Sequence, residues 1–119
     1  MSYDISLCDP VTGKTLAEDS PHQIAGGTRA VGGTKDLWLN ITYNYAEHFA
    51  FAFGDSRGIR SIYGMSGAES IPLLKTAISR LGDDIAEDYW AATEGNAKQA
   101  LNGLLAFAQL RPDGIWKGD

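Results

Sequence analysis

At 119 residues and 12.8 kDa the chain has the usual size of a single domain, and a chain of that length buries about two-thirds of its unfolded surface, so it folds without disulfide or metal staples. Hydrophobic residues make up 44%, with three Trp, five Tyr and four Phe, which excludes a disordered tail. The formal charge of −5 and a pI near 4.8 argue against a nonspecific grip on a phosphate backbone, so no direct nucleic-acid partner is expected.

The single cysteine, Cys8, excludes an internal disulfide and a metal site built on several thiolates, and suits a reducing compartment. Met1 to Asp4 lacks the basic start of a signal peptide, and no stretch approaches the ~20 apolar residues of a membrane span. A cytoplasmic protein with no membrane contact is therefore expected, and Asn40-Ile41-Thr42 is a glycosylation sequon by letters only.

In chain order, Tyr3, Ile5 and Leu7 alternate with Asp4, Ser6 and Cys8, the period of a half-buried strand. Asp9-Pro10-Val11-Thr12-Gly13 suits a turn, with Lys14 to Glu18 returning as a second strand, so 3–18 reads as a hairpin. An internal echo follows His22: Gly26-Gly27-Thr28, then Gly32-Gly33-Thr34. Leu37, Leu39, Ile41 and Tyr43 alternate with Trp38, Asn40, Thr42 and Asn44 in the clearest strand, expected to be central in its sheet. The second face of that strand is either a solvated surface or a flat amide-and-aromatic platform for a ligand.

Residues 46–53 fit a strand by Phe49, Phe51 and Phe53 and a helix by Tyr45, Phe49, Ala52 and Phe53, and helix is preferred. Gly54 to Gly58 breaks the pattern, and Ile59 to Tyr63 reads as one short helical turn. Ile71, Leu74, Ile78 and Leu81 mark one face of a helix near 70–81, with Ser70 as its cap, Pro72 in its first turn and Gly82 as its stop. The segment from Asp83 to Glu94 is the most acidic part of the chain. It reads as a solvated loop and helix start in preference to an acidic docking surface or nucleic-acid mimic, and Tyr89-Trp90 within it reads as a core anchor in preference to an exposed protein-binding hot spot. Thr93 caps a helix over 94–110, with Ala97, Leu101, Leu104 and Ala108 on its apolar face. Arg111-Pro112-Asp113-Gly114 ends that helix, and Ile115-Trp116 folds back onto the body.

The pattern predicts an α+β fold over residues 1–119 as a single domain: an antiparallel sheet from 3–45 covered on one face by helices near 70–81 and 94–110. The motifs give no catalytic set. Gly27, Gly32 and Thr34 match three positions of the P-loop pattern, but Gly33 stands where the phosphate-reaching lysine belongs, and a strand pattern follows instead of a helix. The glycines then serve either as turn or bulge devices or as a loop that lets an anionic, nucleotide-like group approach the backbone, with His22, Thr28, Arg29 and Thr34 beside them. His22, His48 and Cys8 lack the spacing of a zinc site. Gly64-Met65-Ser66-Gly67 lacks the order of a nucleophile elbow, and no cofactor is implied.

Several strings occur together: His22 through Thr34, Trp38 through Tyr45, Gly58-Ile59-Arg60 with Ile62-Tyr63-Gly64, Glu69-Ser70-Ile71-Pro72, Thr93-Glu94-Gly95-Asn96-Ala97 and Arg111-Pro112-Asp113-Gly114. In combination they make the chain resemble a family of small proteins encoded by phages, prophages and other mobile elements of bacteria. The resemblance spans nearly the whole chain and implies an accessory role in the bacterial cytoplasm. It brings no catalytic residues with it, and it makes His22, Asn40, Asn44, Tyr45, Asn96 and Arg111 the polar residues to test first. Two functions follow as expectations. The first is a non-enzymatic accessory protein that binds a host or competing-element protein through its acidic and aromatic surface, with homo-oligomers allowed. The alternative is a binder of a small nucleotide-like ligand through Gly27, Thr28, Arg29, Gly33, Thr34 and the Asn40, Asn44 and Tyr45 face. An enzyme ranks third.

Overall fold

The structure, a computed structural model, describes residues 2–18, 28–29, 35–88 and 90–119, with the backbone alone at 28–29. Four strands, β1 (Ser2–Cys8), β2 (Thr28–Arg29), β3 (Trp38–Thr42) and β4 (Ile115–Gly118), form one sheet in the order β2-β3-β1-β4. Every pairing is antiparallel: Tyr3 lies opposite Ile41, Leu7 opposite Trp116 and Arg29 opposite Asn40. Because side chains alternate across a strand, this register puts Tyr3, Ile5, Leu7, Leu39, Ile41 and Trp116 on one face, and all six are buried. That face packs on the helices α1 (Ala46–Phe53), α2 (Gly67–Ser79) and α3 (Glu94–Leu110). Phe49, Leu74, Leu101, Leu104 and Phe107 complete a single core cluster.

The expected α+β layering is therefore present, with the 38–42 strand in the interior of its sheet. The sheet also has a strand the N-terminal half could not supply. Ile115–Gly118 folds back as an edge strand on β1, and Trp116, with no exposed surface, donates its indole N–H to Ser70 Oγ at 2.7 Å.

Four boundaries differ from expectation. Residues 14–18 do not form a full second hairpin strand; they make only isolated bridges, Cys8 to Thr15 and Ala17 to Asp36. Leu16 bonds both to Leu7 O through its amide and to Leu37 N through its carbonyl, so the segment is threaded between two strands instead of lying along one. The 38–42 strand stops at Thr42, whose hydroxyl accepts from Asn44 N at 3.2 Å and starts a 3-10 turn at Tyr43–Tyr45. This rotation takes Asn44 off the strand face on which the ligand platform depended.

Helix α2 starts at Gly67, three residues before the expected Ser70 cap. Ser66 Oγ accepts from Glu69 N while Glu69 returns to Ser66 N, a capping box, and Pro72 falls inside the helix. Ser70 is instead buried against Trp116. The helix ends at Ser79 with Arg80 as its cap, ahead of Gly82.

Other elements fall where the sequence put them. Residues 46–53 are helical and close on Gly54 at φ 64°, a left-handed cap that glycine adopts without a Cβ clash. A 3-10 turn covers Gly58–Ile62, and Thr93 caps α3 by accepting from Asn96 N. Among the described residues no helix is long and apolar enough to cross a membrane.

Candidate functional site

The loop between α2 and α3 carries four carboxylates, Asp83, Asp84, Glu87 and Asp88, and no lysine or arginine between Leu81 and Thr93. Its described residues form no helix or strand, and the backbone bonds among them reach two or three residues: Ile85 N to Asp83 O, Ala91 N to Asp88 O, Thr93 N to Ala91 O. Side chains of the surrounding helices hold it in place. Tyr89 lies outside the described residues.

Asn96, at the third position of α3 and fully buried, uses both ends of its amide on the loop. Its Oδ1 accepts from Ala86 N at 3.1 Å, and its Nδ2 donates to Asp88 O at 3.1 Å and Ala91 O at 3.0 Å. Asn44, from the 3-10 turn, donates to Trp90 O at 2.8 Å. His48, on α1, meets Ala92 O at 2.8 Å through Nε2. A carbonyl can only accept, so Nε2 carries the proton in this contact.

At the loop's start, Asp84 Oδ1 accepts from Gly95 N at 3.2 Å, placing a carboxylate at the positive end of α3. The backbone crosses that end so closely that a Cβ on Gly95 would lie 2.7 Å from Asp84 C, which explains the glycine. Lys98 Nζ pairs with Asp83 at 2.7 Å. Asp84, Glu87 and Asp88 remain without a cationic partner within ion-pair distance among the described residues.

Pinned in this way, the loop turns apolar side chains outward. Ile85 is 57% exposed and Trp90 45% exposed, which corrects the expectation of a Trp90 core anchor. The physical reason is that Asn44, His48 and Asn96 hold the loop there by its carbonyls and an amide, so the Ile85 and Trp90 side chains are not what fixes it. Large apolar groups set among carboxylates on a fixed backbone suit protein recognition, where aromatic residues dominate the binding energy.

The sequence candidates therefore separate. Asn44 and Asn96 converge on the loop, as holders of its backbone. Asn40 lies on the opposite, outer face of the sheet and donates to Ser2 Oγ at 2.7 Å and Asp4 Oδ1 at 2.9 Å. Tyr45 is fully buried with its ring edge-on to Phe49, away from any surface platform. Arg111 forms an ion pair with Asp113 at 2.9 Å in the turn after α3. Thr28 and Arg29 form the edge strand β2, while His22, Gly27, Gly33 and Thr34 lie outside the described residues.

Sequence reasoning missed His48 and the outward setting of Ile85 and Trp90. The one legible signal was Asn96, an amide on the apolar stripe of Ala97, Ala100, Leu101 and Leu104, since a buried amide at such a position needs hydrogen-bond partners. An open groove of about 230 Å³ between α1 and α2 is lined by Ala52, Phe53, Pro72, Leu73, Thr76 and Arg80, with no sequence candidate among these described residues. No group of metal-ligating side chains occurs among the described residues.

No protein-family model, curated protein or solved structure matches this chain.

Proposed function

We propose that the chain is a non-enzymatic binding protein that docks a partner protein through the acidic loop between α2 and α3. In keeping with the sequence resemblance, the proposed partner is a host or competing-element protein met by a phage or prophage accessory factor. The carrying observation is the outward display of Ile85 and Trp90 among Asp84, Glu87 and Asp88 by a backbone fixed from three sides. A fixed backbone reduces the ordering entropy lost on association, which favours affinity at a small interface. The carboxylates call for a basic surface around an apolar cleft on the partner, and for association that slows as salt rises.

The test places a photo-crosslinking amino acid at position 90, identifies the captured protein by mass spectrometry and rebuilds the complex from purified components. Trp90→Ala together with Ile85→Ala is expected to weaken that complex by at least tenfold, about 1.4 kcal/mol or more. A captured protein that binds the double variant as tightly as the wild type contradicts the proposal.

A further inference from the structure

We infer that the α2–α3 loop is a two-state element, pinned or open as one unit, and that Asn96 is its latch. Between Gly82 and Ala92 no described residue belongs to the hydrophobic core, whereas Leu81 before the segment and Ala97 after it do. Hydrogen bonds and one ion pair tie its described residues to the body, which makes the segment separable from the rest of the fold. The holding bonds are also unequal. Those from Asn44, His48 and Lys98 are single contacts at exposed positions, where water competes. Among the described residues Asn96 alone makes three, and it does so with no exposed surface. Losing it strands Ala86 N, Asp88 O and Ala91 O together, so the segment is released cooperatively and not bond by bond.

The pinned state is the one that sets Ile85 and Trp90 in a fixed relation, so apparent affinity scales with the latched fraction. This last step rests on the docking reading; the latch itself does not. Asn96 acts here as a positioning residue that contacts no partner.

Native-state amide exchange on the intact protein, followed residue by residue by NMR across low denaturant, tests the latch. In the wild type, Ala86 and Gly95 amides are expected to exchange through one opening with a small denaturant dependence, well below that of Leu39 and Leu104. Asn96→Ala is expected to lower protection at Ala86 and Gly95 together by roughly ten- to a hundredfold, the loss of two or three bonds of ordinary net strength, with Leu39 and Leu104 unchanged. Asn44→Ala is expected to change them less than tenfold. Wild-type Ala86 and Gly95 amides that exchange only with global unfolding overturn the inference, and so does an Asn96→Ala protein that loses protection equally in the sheet. Failure of the crosslink at position 90 would remove the docking reading while leaving this result standing.

Discussion

Ser70→Ala tests how the C-terminal strand is locked to the body. Ser70 and Trp116 are both fully buried, and Ser70 Oγ accepts from Trp116 Nε1 at 2.7 Å while donating to Gly67 O at 2.8 Å. Alanine leaves the buried indole N–H without its partner, a loss of about 2 kcal/mol by the usual penalty for a stranded buried donor. For a domain of this size that corresponds to about 8 °C in Tm. Ser79→Ala is the internal control on the same helix: its hydroxyl donates to Thr76 O at an exposed position, so its change should stay within about 0.5 kcal/mol. Urea unfolding followed by tryptophan fluorescence and circular dichroism measures both. In a double-mutant cycle, Trp116→Phe should shrink the effect of Ser70→Ala, because the donor is already gone. A Ser70→Ala protein as stable as Ser79→Ala would refute the locked-strand account.

Trp90→Ala should cost well under the ~3–5 kcal/mol of deleting a buried tryptophan in the same assay, because the residue is 45% exposed; a loss of that size would mean that it anchors a core. Gly95→Ala should destabilise by about 1–3 kcal/mol, as expected of overpacking, because its Cβ meets the Asp83 and Asp84 backbone at 2.8 and 2.7 Å; unchanged unfolding would show that the loop does not cross there. The backbone N–H of Ser66, and then its side chain, hold Glu69 below the ordinary carboxylate range. A carboxyl with a lowered folded pKa stabilises above its unfolded value, near 4.3, and the contribution is lost as pH falls through the folded pKa. Glu69→Gln should therefore flatten part of the fall in Tm between pH 5 and 3; an unchanged pH profile would contradict the capping box.

The layering of the fold was legible because strand and helix periods in this chain coincide with burial. Leu39 and Ile41 alternate into the core, and Leu101 and Leu104 recur at helical spacing on α3. Boundaries were legible where a distinctive residue sets them locally, as Thr93 does by its hydroxyl and Gly54 by its left-handed backbone. Ser70 was expected as the cap of α2, but the Ser66–Glu69 capping box starts the helix three residues earlier, and the buried Ser70 hydroxyl accepts from Trp116, 46 residues away. The fourth strand was hidden for a related reason: two hydrophobic residues after a turn do not announce pairing with the first strand of the chain.

The α2–α3 loop was legible by its charge and not by the contacts that hold it. Acidic residues before a helix cap read as solvated, and Tyr89-Trp90 read as core because an aromatic pair usually is. The acidic residues are exposed as expected, whereas the exposure of Trp90 goes with bonds from Asn44, His48 and Asn96, which come from three separate elements and take up the loop's carbonyls. Spacing along the chain carries no trace of that convergence. Asn40, equally prominent in the sequence, stays on the outer sheet face with Ser2 and Asp4.

The most direct measurement is an NMR footprint of the complex formed with the protein captured from position 90. Shift changes concentrated at Ile85, Ala86, the Trp90 indole, Ala91 and Ala92, weakening as salt is raised, are the result the docking account predicts. Changes confined to Asn40 and Lys117 on the outer sheet face, or to Leu73 and Thr76 in the α1–α2 groove, would contradict it.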